Sequence, residues 1–150
     1  MFPIVFFLLA ILGSIVQMLF FKTSISESLL LSFLVVEVGL QGIYAFIGHY
    51  FLSDKVAQSI GWEKNNPFQK EIAFVNLAFG VLGIGSIWLR EGFWIATIIG
   101  YSVFLLGAAI VHLTEIKKSK NLNIGNAGPI LFADILVPIL LIVLAVLYFS

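Results

Sequence analysis

Apolar residues run along the chain in five long blocks with short polar stretches between them. The blocks are Phe2 to Phe21, Ser28 to Leu52, Phe68 to Leu89, Gly92 to Leu113 and Pro129 to Phe149. Each holds about 20 residues or more, and a helix rising about 1.5 Å per residue needs about 20 to cross about 30 Å of hydrocarbon. No block alternates polar and apolar with the period of two that a membrane barrel requires. In lipid every backbone polar group must be satisfied within its own segment, so each block is expected to be a transmembrane helix. The fold class is therefore all-α: a single integral membrane domain over residues 1–150, with five transmembrane helices in a small bundle. The first block has no basic leader and is followed by Lys22, so it is expected to be retained rather than cleaved.

The block boundaries carry matching punctuation. Pro3 and Pro129 suit the first turn of a helix, where a missing N–H costs nothing. Ser24 followed by Glu27 is a capping-box pattern before the second block. Asn66, Pro67 and Gln69 suggest the same device before the third, with Gln69 reaching back to the cap. Arg90-Glu91 is short enough to make blocks three and four a tight helical hairpin. Between blocks two and three, Asp54 to Ile60 can form a short interfacial helix, stopped by a left-handed Gly61 and anchored in the headgroups by Trp62. That segment reads either as a lid over the inner face or as a plain connector. Small residues (Gly39 and Gly42; Gly80, Gly83 and Gly85; Ala96, Gly100 and Gly107) mark faces where helices can approach closely.

Composition agrees with the pattern. The chain is 61% hydrophobic and 11% charged, against about 25% charged in an average soluble domain. Eight Lys/Arg against eight Asp/Glu leave zero net charge, so there is no electrostatic footprint for nucleic acid. With no cysteine, disulfides and thiolate chemistry are excluded. The loops at 53–67 and 114–128, with the first turn after them, hold Lys55, Lys64, Lys70, Lys117, Lys118 and Lys120. The opposite side holds Lys22 and Arg90. This asymmetry predicts a multi-pass cell-membrane protein with a cytoplasmic N-terminus and an external C-terminus. Trp88, Trp94 and Tyr148 then fall at the outer interface.

Polar groups inside spans are costly and usually face the bundle interior or a water-filled cavity. His49, Glu71, His112, Glu115 and Asp134 come from four blocks, yet all fall near the cytoplasmic edge. Asn76, Gln41 and Glu37 lie about 12, 16 and 22 Å in and can extend that layer inward as a column. Glu37, Gln41 and Tyr44 share a helical face by spacing. The competing reading is that boundary-level groups simply reach out to headgroups. Asp134 has a further feature. Pro138, four residues on, lacks the N–H that the Asp134 carbonyl would accept. A carboxylate and a freed carbonyl at one level resemble the broken-helix sites that bind ions and substrates, although Pro138 also reads as an ordinary kink. In the Asn- and Gly-rich stretch from Lys120 to Pro129, Asn126 or Gly128 can cap the last helix. The amides there, beside Lys117, Lys118 and Lys120, suit either an anion or a plain capped loop.

The stretches Gly61 to Ile84 and His112 to Pro138 resemble a family of small prokaryotic integral membrane proteins without an assigned function. The resemblance rests on Trp62, Pro67, Phe68, Gln69 and Glu71, on His112, and on Gly125, Asn126, Gly128, Asp134 and Pro138. It implies a multi-helix membrane protein and supplies no activity.

Three functions are weighed on these residues. The preferred one is a transporter- or channel-like protein, or a subunit of one. Its ion, proton or small-substrate site would be drawn from Asp134, Glu71, His112, His49, Asn76, Glu37, Gln41 and Asn126. Such a small bundle would work as a homo-oligomer or with a membrane partner. The first alternative is a non-catalytic module binding a lipid, a quinone, a haem or a partner's helices. The second is an interfacial enzyme acting on a lipid or isoprenoid. No catalytic residue is assigned, because hydrolase, metalloprotease and kinase motifs are missing. No cofactor is predicted. Haem or a metal remains an alternative, with His49, Glu71, His112 and Asp134 as weak ligand candidates.

Overall fold

The computed structural model describes residues 2–150, and among them all regular structure is helical. In chain order the helices are α1 (Phe2–Phe21), α2 (Ile25–Phe51), α3 (Ser53–Ile60), α4 (Phe68–Gly85), α5 (Gly92–Ser119), the single turn α6 (Ile124–Ala127) and α7 (Pro129–Phe149). Four stretches are long and apolar enough to cross a membrane: Phe2–Phe21, Ile25–Phe51, Gly92–Ser119 and Ile124–Phe149. The third expected span is not among them. It forms the shorter helix α4, whose first turn carries Gln69, Lys70 and Glu71 and which ends at Gly85 rather than Leu89. Residues 86–89 turn instead, and Trp94 Nε1 donates to the Ser86 carbonyl at 2.9 Å. That bond makes Trp94 fully buried rather than the interfacial anchor expected. Trp88 is exposed.

Local chemistry accounts for most helix ends. Ser24 Oγ accepts from the Glu27 amide at 3.2 Å. The Glu27 carboxylate, expected to complete the capping box, instead pairs with Arg90 at 2.5 Å and ties the start of α2 to the α4–α5 turn. Gly61 ends α3 at φ 87°, as its position predicted. Pro129 opens α7, and Pro138 lies buried inside it.

α2 packs along α4, α5 along α7, and α1 lies on α2. Between α2 and α4 the backbones touch. A Cβ on Gly83 would lie 2.3 Å from the Gly39 nitrogen, and one on Gly42 would lie 2.7 Å from the Asn76 carbonyl. The glycines of α5 serve no such contact: Gly107 faces open space and Gly100 meets the Phe79 ring. Within α2, residues Leu34–Leu40 widen into a π-helical turn. The core is a cluster around Leu30, Phe33, Leu34, Trp94, Tyr101 and Leu141. Around it, long apolar side chains such as Leu19, Phe20, Val103 and Val146 point outward. An apolar exterior of this extent is what a lipid environment selects.

Candidate functional site

The densest polar cluster is built where α5, α6 and α7 meet. His112, on α5, is 6% exposed. Its Nδ1 lies 2.7 Å from Oδ1 of Asn126. Asn126 is fully buried, and its Nδ2 donates to the Asn121 carbonyl at 2.8 Å and the His112 carbonyl at 3.3 Å. The other ring nitrogen, Nε2, faces Oδ2 of Asp134 at 3.7 Å. Asp134 is buried too, and its Oδ2 has no hydrogen-bond partner among the described residues.

The amide fixes the ring. Because Nδ2 of Asn126 is committed to two carbonyls, the atom it turns to His112 is an acceptor, so His112 Nδ1 carries a hydrogen and donates. Nε2 is then the nitrogen turned toward Asp134. A bare Nε2 opposite an ionised Asp134 would set two lone pairs against each other in a buried space. The pair is favourable when it holds one proton, on Nε2 or on Asp134.

The loop around this pair is held by contacts only small or amide residues can make. A Cβ on Gly125 would lie 2.7 Å from the backbone of Ser59, so α6 seats directly on α3. A Cβ on Gly128 would lie 2.2 Å from the Ile124 carbonyl. Asn121 Nδ2 donates to the Ile60 carbonyl at 2.8 Å, and its Oδ1 accepts from Asn123 at 2.7 Å. Trp62, just past α3, stacks over His112 with ring centroids 6.2 Å apart and planes within 14°. The segment 53–62 therefore lies against the loop that holds His112. Trp62 itself is half-buried. Of the two residues expected to cap α7, Gly128 stands at the N-cap without a side-chain bond, and Asn126 is used on His112.

Tyr101, on α5 and further from the loop than His112, is 1% exposed. Its hydroxyl donates to the Glu37 backbone carbonyl at 3.1 Å. Glu37 sits in the π-helical turn of α2, 1% exposed, and its Oε2 has no partner among the described residues.

The remaining candidates do not join this cluster. His49 Nδ1 meets Gln69 Oε1 at 2.6 Å, between α2 and α4. Gln69 thus serves His49 and not the helix cap, which Asn66 supplies alone by accepting from the Phe68 amide. Asn76 donates back to Ile72 of its own helix at 2.9 Å. Gln41 is half-buried with Oε1 unpaired among the described residues. Glu71 is exposed. The expected single polar layer is thus divided into a His112 site, a His49–Gln69 bond, and a Glu37 site. The physical reason is that each side chain satisfies itself with its nearest packed neighbour. His49, Glu71, His112 and Asp134 do not assemble into a metal site: no group of three or more His, Cys, Asp or Glu residues with that geometry exists among the described residues. Sequence reasoning missed Tyr101, Trp62 as a ring over His112, and Asn121. The clustering of Asn121, Asn123 and Asn126 in one short loop was the available signal for the last.

Residues 1–149 match the model of a family of unknown function (DUF6790), and the chain belongs to that family. No curated protein and no solved structure matches it.

Proposed function

We propose that this is a transporter- or channel-like membrane protein whose working centre is the His112–Asp134 pair. In this reading α4 is a fifth, short crossing, α3 lies at the cytoplasmic interface, and the N-terminus is inside and the C-terminus outside. The lysine asymmetry supports that orientation. It puts the pair near the cytoplasmic face beneath Trp62. The observation that carries the reading is the 3.7 Å gap between His112 Nε2 and Asp134 Oδ2, with the opposite ring nitrogen committed to Asn126. A buried pair that favours one proton can take it up and release it as its cover and access change, which is the elementary step of proton-coupled movement. Tyr101 and Glu37 extend titratable groups from that pair toward mid-helix. A bundle this small is expected to work as a homo-oligomer or beside a membrane partner.

The test is flux. Purified protein in liposomes loaded with a pH-sensitive dye should dissipate an imposed pH gradient faster than empty liposomes. Asp134→Asn and His112→Gln should each return the rate to that of empty liposomes. A wild-type rate equal to the empty control, or an unchanged rate in both variants, contradicts the proposal. A C-terminal reporter active only in the cytoplasm would overturn the orientation.

A further inference from the structure

Separate from the His112 pair, a groove of about 390 Å³ runs between α1 and α7. Volumes of this order suit a small lipophilic molecule. Its walls include Pro3, Phe7, Phe132, Ala133 and Leu140, and among the described residues Glu37 is the one ionisable side chain lining it. Pro3 and Pro129 stand at the starts of their helices. Leu140 is eleven residues into α7, so the groove extends about 16 Å along the bundle. Glu37 lies about 21 Å from one end of α2 and about 18 Å from the other, near the middle of a helix long enough to cross a membrane.

Three observations narrow the occupant. Glu37 is 1% exposed with Oε2 unpaired among the described residues, and such a group costs free energy until something donates to it. The rest of the wall is apolar, so the donor must arrive on a molecule that is otherwise apolar. Phospholipid headgroups are held at the interface, far from mid-helix, so the donor belongs to something that dissolves in the hydrocarbon itself. Phe7 and Phe132 both present exposed rings along the groove, and these suit a flat ring better than a bare chain.

We propose that this groove binds a lipid-soluble quinol, ring inward, with a ring hydroxyl donating to the Glu37 carboxyl and the tail leaving sideways into lipid. The full-length protein in nanodiscs is titrated with a short-tailed benzoquinol under reducing conditions, and binding is read by calorimetry. The wild type should bind saturably. Glu37→Leu should bind about tenfold more weakly through loss of the one polar contact. Ala133→Phe, which fills the groove while keeping Glu37, should abolish binding, and Leu136→Trp serves the same purpose if Ala133→Phe misfolds. Dodecanol should fail to displace the benzoquinol. No saturable wild-type binding, unchanged binding in Glu37→Leu and the filled variants, or equal displacement by dodecanol would each overturn the assignment.

Discussion

Asp134 and Glu37 are the two carboxylates that the fold withdraws from solvent among the described residues, and their surroundings differ in kind. Asp134 faces an imidazole whose far nitrogen is held by an amide, which is held in turn by the backbone carbonyls of Asn121 and of His112 itself. Glu37 faces an apolar groove, and the Tyr101 hydroxyl bonds to its backbone instead of its side chain. One carboxylate is embedded in a built polar scaffold, and the other is left open at a helix irregularity. Burial alone therefore does not define a site. The number of groups arranged to serve the buried charge does.

The largest expected effect comes from removing the keystone of the scaffold. Asn126→Leu leaves the His112 Nδ1–H and the Asn121 carbonyl without their partners, at about 1–3 kcal/mol each. Thermal denaturation in detergent should show a severe loss of stability, and a wild-type melting temperature would show that the scaffold is incidental. Next, His112→Leu strands Asp134 without its partner, at about 3–5 kcal/mol. The double variant His112→Leu/Asp134→Leu should recover part of that loss, and simple additivity of the two single changes would refute the coupling. Glu37→Leu should have the opposite sign. It removes a carboxyl with nothing to bond, and stability should rise by about 1 kcal/mol or more. A clear loss would mean that Glu37 has a partner in the folded protein. Smallest is the exposed control, Glu27→Gln, which breaks the ion pair to Arg90. Side chains 40% and 25% exposed make that pair worth less than about 1 kcal/mol.

The sequence foretold features fixed by neighbours along the chain. Ser24, Gly61 and Pro129 act where expected because a cap, a left-handed stop and a first-turn proline depend on adjacent backbone. The apolar blocks became helices for the same reason. Partners chosen across the fold were not legible. Gln69 was expected to turn back on its own helix and instead meets His49, twenty residues away. Glu27 does the same with Arg90. Asn126 or Gly128 was expected to cap α7; Gly128 stands at the N-cap, and the close seating of Gly125 on Ser59 carries Asn126 onto His112. The depth argument placed His49, Glu71, His112 and Asp134 in one layer. Depth does not fix azimuth, and the widened turn at Leu34–Leu40 shifts the helical phase on which the facing of Glu37 was judged. Of the candidates, Asp134, His112 and Asn126 converge, and Pro138 sits one turn from Asp134 in the sequence.

The state of the His112 ring tests the central claim most directly. Nitrogen NMR of protein labelled at histidine, followed across pH, reads both ring nitrogens and separates His112 from His49 through His49→Gln. The account predicts that His112 Nδ1 carries a hydrogen, and that Asp134→Asn changes the Nε2 signal while leaving Nδ1 alone. A His112 ring with a bare Nδ1, or an Nε2 signal indifferent to Asp134→Asn, would contradict it.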